Sequence, residues 1–140
     1  MTAGIVFSAL AWIVVGMMQL QIDGGNALSI AWQILPYALL TMGEVLVSAT
    51  GLEFAYSQAP LSMKGTLMSF WGLSTTVGNL WVLLINAGVA SAAMKSTVAA
   101  SGLSLEAFLM FFFAAIALLA AGLFGLYARR YREVSHYRAV

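Results

Sequence analysis

Gly43-Glu44-Val45-Leu46-Val47-Ser48, running on through Gly51-Leu52-Glu53-Phe54-Ala55-Tyr56-Ser57-Gln58-Ala59-Pro60, decides how the rest of the chain is read. Glu44 interrupts a run that is otherwise apolar, with Ile34, Leu35, Ala38, Leu39 and Leu40 before it and Val45, Leu46 and Val47 after it. From Leu28 to Ser57 the stretch predicts one long helix with Glu44 near its middle. If that helix crosses a bilayer, the carboxylate lies close to the midplane. An ionisable group there is costly, so it must face a polar cavity or a partner, and it is a functional candidate by default.

Composition supports the membrane setting. The chain has 140 residues, 62% hydrophobic and 8% charged, with a mean hydropathy of +0.95. A soluble domain carries about 25% charged residues, so too few charges are present to cover a water-facing surface. The sequence predicts an all-α integral membrane protein with four transmembrane helices. A net charge of +1 gives no basis for a nucleic-acid partner, and the absence of cysteine excludes a disulfide framework and thiolate metal ligands. No basic residue precedes the first apolar run, so a signal peptide is not expected.

Four apolar runs are expected to span. The first, within residues 1–20, is about 27 Å long as a helix, just enough for a hydrocarbon core of about 30 Å. It begins almost at Met1 without a polar flank, which leads us to expect the tail of a longer chain. A turn-rich break, Gln21 to Asn26, follows. The second run, residues 28–57, is about 45 Å as a helix and must tilt, bend or project; Pro36 is expected to kink it. Trp32 and Tyr37 suit an interfacial aromatic belt. The third, residues 65–89, carries Trp71, Ser74, Thr75, Thr76, Asn79 and Asn86 in an apolar background, and such small and hydroxylated residues let helices approach and bond to one another. The fourth, residues 105–127, follows a small-residue connection carrying Lys95. Its Met110-Phe111-Phe112-Phe113 and Leu118-Leu119 are expected to face lipid, with Gly122 and Gly125 against a neighbour. Arg129, Arg130 and Arg132 open a basic tail over residues 128–140, which is expected to be cytoplasmic. Both chain ends then lie inside, and the loop before Lys64 is cytoplasmic too.

Individual residues admit two readings each. Glu44 is either a structural carboxylic acid bonded to a neighbouring helix, or an ion or proton site that anchors a cationic group. A carboxylate poised between a dry wall and an ammonium can exchange a proton for a substrate amine. Ser48, one turn on, shares its face. Glu53 lies nine residues beyond Glu44, about 14 Å along the axis and on a different face, where a solvated or gate-side ion pair with Lys64 or with a further helix is the plainer reading. Trp71 serves either as packing or as an aromatic wall beside a cation. Asn79 and Asn86 are read as contacts between helices, and His136 as an inert tail residue. No metal-ligand cluster, phosphate loop or nucleophile–base pair is present in the sequence, and no enzyme activity is expected.

Gly43-Glu44-Val45, Gly51 to Pro60 and Met63-Lys64, continued by Phe70-Trp71 and Val77-Gly78-Asn79, resemble the tenth- and eleventh-helix signature of the proton-dependent oligopeptide transporters. The resemblance implies a fragment of a major facilitator superfamily fold, helices nine to twelve. It further implies that Glu44 receives the amino terminus of a di- or tripeptide, that Ser48, Trp71 and Thr75 line the same pocket, and that Glu53 and Lys64 belong to the cytoplasmic gate. Protons are the implied coupling ion, with no other cofactor. The implied partners are the peptide, the lipid bilayer of the inner or plasma membrane, and the missing N-terminal helices. The family's Glu-x-x-Glu-Arg-Phe motif and its basic carboxylate-binding residues are absent from this stretch. Alternating access needs two halves rocking about a shared site, so transport by these four helices alone is not expected. The alternative is a standalone four-helix membrane protein acting as a partner subunit. A relative carrying nitrate is disfavoured by Glu44, because an anion pocket would not favour a carboxylate.

Overall fold

A computed structural model describes residues 1–89, 92–100 and 102–131. Its long helices are α1 (Thr2–Asp23), α2 (Ile34–Gln58), α3 (Lys64–Val89) and α5 (Leu105–Arg130), with the short α4 (Ala92–Ala100) between the last two. Single 3-10 turns, Ile30–Gln33 and Leu61–Met63, lead into α2 and α3. No strand occurs among the described residues, and four helices are long and apolar enough to cross a membrane. The basic tail and His136 fall largely outside the described residues: α5 runs on through Arg130, and only Tyr131 follows it.

The ends of the helices follow from local chemistry. Gly24 and Gly25 close α1, their N–H groups donating to the carbonyls of Leu20 and Ile22 at 3.0 and 2.9 Å. Gly25 takes a left-handed φ of +85°, a conformation open to glycine without a steric penalty. Ser104 caps α5 by accepting from the N–H of Ala107 at 3.1 Å, satisfying one of the orphan donors of the first turn. Glu106 follows in that turn, and Arg129 and Arg130 occupy the last one, so both ends carry charges that complement the helix dipole. Pro36 does not kink α2. It sits in the first turn of that helix, where its missing N–H would have had no intrahelical partner anyway.

The long helices alternate in direction, and α1 lies between α2 and α5, packed along both. All three use small residues for this. The buried positions are Gly4, Ala9, Ala11 and Gly16 on α1, Pro36, Gly43 and Gly51 on α2, and Ala107, Ala114 and Ala121 on α5. Among the described residues no large side chain is fully buried. In lipid there is little hydrophobic drive to join helices, and close backbone approach through small residues replaces it. The alanines of α5 recur every seven residues, the period that keeps one stripe against a neighbouring helix.

The tightest approach is between α1 and α2. A methyl group added to Gly4 would lie 2.7 Å from the carbonyl oxygen of Gly43, and one added to Gly43 would lie 2.7 Å from the carbonyl oxygen of Gly4 and 3.0 Å from the backbone nitrogen of Ser8. On the other side of α1, Gly16 seats the ring of Phe111, whose nearest atoms would lie 3.0 Å from an added methyl. Trp12 and Phe113 meet with ring centroids 5.6 Å apart. Two of the phenylalanines expected to face lipid therefore pack on α1, whereas Leu118 and Leu119 are exposed. Gly125 approaches Thr2, while Gly122 has open space around it.

By contrast, α3 stands apart. It touches α2 lightly, Val89 is its buried residue, and Phe70, Leu73, Val77, Leu80 and Trp81 are more than half exposed. Its hydroxyls turn inward: Ser74 donates to the Trp71 carbonyl at 2.7 Å and Thr76 to that of Gly72 at 3.2 Å. Asn86 likewise donates to the carbonyl of Val82 at 2.8 Å, a bond within its own helix rather than between helices.

The backbone contact yields a direct prediction. Gly43→Ala must separate α1 from α2 and should cost about 1–3 kcal/mol, the range for overpacking. Gly122→Ala, in open space, should stay within about 0.5 kcal/mol of the parent. Unfolding in detergent micelles would measure both, and equal effects would refute the assignment.

Candidate functional site

Glu44 follows directly on the buried Gly43. A step of one residue turns about 100° around a helix, so the contact that buries Gly43 against α1 directs Glu44 to a neighbouring, open face. Glu44 is exposed there, 10 residues after Ile34 and 14 before Gln58, which is about 15 and 21 Å from the two ends of α2. Ser48 and Gly51 lie four and seven residues on, along the same stripe. Ser48 is half-buried.

Trp71 reaches this stripe from α3. The outer edge of its six-membered ring meets Gly51: an added methyl would overlap Cη2 and would stand 2.8 Å from Cζ3 and 2.7 Å from Cε of Met1. Trp71 is half-buried, unlike the residues that follow it through Leu84. Because α2 and α3 run in opposite directions, moving from Trp71 to Thr75 along α3 corresponds to moving from Gly51 towards Ser48 along α2. Thr75 is thus placed near the level of Ser48. It is exposed, and its hydroxyl is turned to the Trp71 carbonyl at 3.5 Å. Helical register thus puts Glu44 and Ser48 on one stripe of α2, and Trp71 meets α2 at Gly51, three residues beyond Ser48. A carboxylate, a hydroxyl and an aromatic wall together suit an ammonium group: the carboxylate supplies a charge-assisted bond and the ring a favourable face.

The two residues read as gate elements occupy a different region. Glu53 is half a turn away from Glu44 around α2. It lines a cleft of about 550 Å³ with Thr2, Thr50, Phe124, Tyr127 and Tyr131, where the start of α1 meets the ends of α2 and α5. The rings of Phe54 and Tyr131 meet edge-on at 5.3 Å, and the Tyr131 hydroxyl donates to Oε1 of Gln58 at 3.4 Å. Lys64 holds its Nζ 4.4 Å from the centre of the Tyr56 ring. Glu53, Lys64, Arg129 and Arg130 gather at this end of the helices, whereas Asp23, Lys95 and Glu106 belong to the other. No cluster of metal-ligating side chains occurs among the described residues.

Sequence reasoning did not single out Gly43 and Gly51 as determinants of the site, although both were in view. The available signal was their small size on the helix that carries the carboxylate, matched by Gly4 and Ser8 four residues apart on α1.

Comparison with known proteins shows the family to which the chain is similar. The PTR2 family model, described as the POT family, matches residues 1–104. Human solute carrier family 15 member 2 is 58% identical over 60 residues, which are 43% of this chain and 8% of that protein. The rabbit protein of the same name is 57% identical over the same length. The crystal structure of an auto-inhibited POT family peptide transporter matches with a TM-score of 0.95 and 68% identity, over 99% of this chain and 27% of that one. A second crystal structure, of a proton-dependent oligopeptide (POT) family transporter, matches with a TM-score of 0.78 and 67% identity, over 88% of this chain and 27% of that one. This chain therefore spans about a quarter of the solved transporters it resembles and a smaller part of the curated relatives.

The Lys64–Tyr56 contact can be tested by itself. Tyr56→Phe should retain it, and Tyr56→Leu should lose about 0.5–1 kcal/mol, the worth of an exposed cation–π pair. Denaturation with each variant also placed in a Lys64→Met background would measure the coupling. Equal losses for Phe and Leu would show that the ring acts only by its area.

Proposed function

The chain belongs to the POT family, and on that premise we propose that it is the C-terminal four-helix part of a proton-coupled di- and tripeptide symporter, corresponding to helices nine to twelve. It contributes one wall of the peptide cavity and part of the cytoplasmic gate, and the rest of the transporter supplies the facing wall. What supports this reading is the stripe of Glu44 and Ser48 on α2, turned from α1 by the Gly43 contact, with Trp71 of α3 meeting the same helix at Gly51. Glu44 binds the amino terminus of the peptide, Ser48 offers its hydroxyl, and Trp71 with Thr75 closes the side of the pocket. Glu53 and Lys64, at the arginine-bearing end of the bundle, serve the gate rather than the substrate.

In the whole transporter, where the facing wall covers it, Glu44 would act as a fixed anion in a partly dry cavity. A peptide ammonium entering it exchanges water for a charge-assisted bond. A proton arriving instead neutralises the carboxylate and releases the ammonium, which links the peptide to the coupling ion through one side chain. In a transporter containing this segment, Glu44→Gln keeps the shape and removes the charge. It should weaken peptides with a free amino terminus by about 2–5 kcal/mol, as for truncated desolvated charge pairs, which is about thirtyfold or more in affinity. Peptides with a blocked, uncharged amino terminus should bind the parent weakly and lose little further. Equilibrium binding of both kinds would decide: a common factor for free and blocked peptides would mean that Glu44 holds the fold or the proton, not the substrate.

Orientation follows from charge. Lys64, Arg129 and Arg130 share one end of the bundle, and basic residues accumulate on the cytoplasmic side, so both chain ends face the cytoplasm. Single cysteines at Gly24 and Ser135 test this with an impermeant thiol reagent applied from outside. Gly24→Cys should label and Ser135→Cys should not; the opposite pattern would reverse the orientation.

A further inference from the structure

Gly51 has no assigned part in recognition, yet it makes the closest side-chain approach in the region of Glu44. The indole of Trp71 occupies the space where a side chain at this position would begin, with Cζ3 2.8 Å from an added methyl and Cη2 nearer still. The contact is one-sided. Nothing lies within 4 Å of a methyl added at Gly72 or Gly78 on α3, and α3 otherwise touches α2 lightly. Met1, at the start of α1, shares this seat, its Cε 2.7 Å from the same added methyl, so the ring lies where the bare backbone of α2 at Gly51 meets the start of α1.

We propose that Gly51 is a specificity-determining position: it seats the indole of Trp71 back against α2 and so fixes how much room is left for the peptide's side chains in front of Ser48 and Glu44. The inference rests on the reading of Glu44, Ser48 and Trp71 as a peptide pocket. The physical step is simple. A methyl at position 51 and the edge of the six-membered ring need the same volume. The backbone of α2 at this level is held in its helix, while the ring is the far end of a side chain with rotatable bonds. The ring yields; Met1 occupies the α1 side of the seat, so the ring is displaced toward the open face that carries Ser48 and Glu44. Space is lost where a bulky side chain would lie, while the carboxylate that binds the ammonium is untouched.

The experiment compares dialanine with diphenylalanine as competitors for uptake in a transporter containing this segment. Gly51→Ala should weaken diphenylalanine by about tenfold or more, the scale on which a methylene-sized change in a pocket discriminates, and should change dialanine by less than about threefold. The same change made in a Trp71→Leu background should leave the ratio of the two peptides where Trp71→Leu alone puts it, because the effect is carried by the ring. If Gly51→Ala abolishes folding, Trp71→Leu should restore expression of the double variant to that of Trp71→Leu alone. Persistence of the Gly51→Ala effect without the indole would show that it acts through the Met1 side chain or the backbone, and would overturn the proposal. So would an unchanged peptide ratio, a relative gain for diphenylalanine through retreat of α3, or a folding defect that Trp71→Leu does not relieve. Both dipeptides keep a free ammonium, so an unchanged ratio here refutes the role of Gly51, whereas failure of the free-against-blocked comparison at Glu44 refutes the pocket itself.

Discussion

The approach of α1 to α2 at Gly4 and Gly43 is the constraint from which the rest of the arrangement follows. Each glycine leaves the other's carbonyl oxygen within 2.7 Å of where a methyl would be, and Ser8, Val47 and Leu46 close around the two backbones. That contact fixes the rotation of α2 about its own axis. Glu44, the next residue, is therefore turned away from α1 to the open face, and Ser48 and Gly51 follow it by helical geometry. The edge of the Trp71 ring then meets α2 at Gly51. A larger residue at Gly4 or Gly43 would disturb the site without touching any group that meets a ligand.

Much of this was legible in the sequence. Helices are read from long apolar runs, and a carboxylate inside such a run announces itself because lipid penalises it. Glu44 and Ser48, four residues apart on one helix, share a face in any helical arrangement. Trp71 could not be settled that way, because packing and recognition draw on the same residue type; its contact with Gly51 is a tertiary fact. The lipid-facing assignment of Phe111 and Phe113 failed for a related reason. In a membrane the surface towards lipid and the surface towards another helix are both apolar, so hydrophobicity does not separate them. Size does: the alanines at 107, 114 and 121 mark the packed stripe of α5. Pro36 misled because its effect depends on where the helix starts, and the 3-10 turn over Ile30–Gln33 moves that start to within two residues of the proline.

Charge and shape divide the bundle along its length. The aromatic cleft around Glu53 lies at the arginine-bearing end, and the Glu44 stripe lies midway along α2, on the opposite face. Two carboxylates nine residues apart on one helix thus face separate spaces, the open face midway along α2 and the cleft at its end. A change at one is insulated from the other by about 14 Å of helix and by half a turn of rotation.

The inward-turned hydroxyls of α3 bear on how that helix is accommodated in lipid. Ser74, Thr76 and Asn86 satisfy themselves on carbonyls of their own helix, so these groups do not need a partner helix before they leave water. Every backbone group of a spanning segment must be satisfied internally in lipid, and α3 extends that self-sufficiency to these side chains. The span that touches its neighbours least is thus also the one whose hydroxyl and amide groups lean least on them, whereas α1, α2 and α5 join through their small residues. The contact of Trp71 with Gly51 is then the exception on α3, a specific meeting of side chain and backbone on a helix that otherwise satisfies its own polar groups.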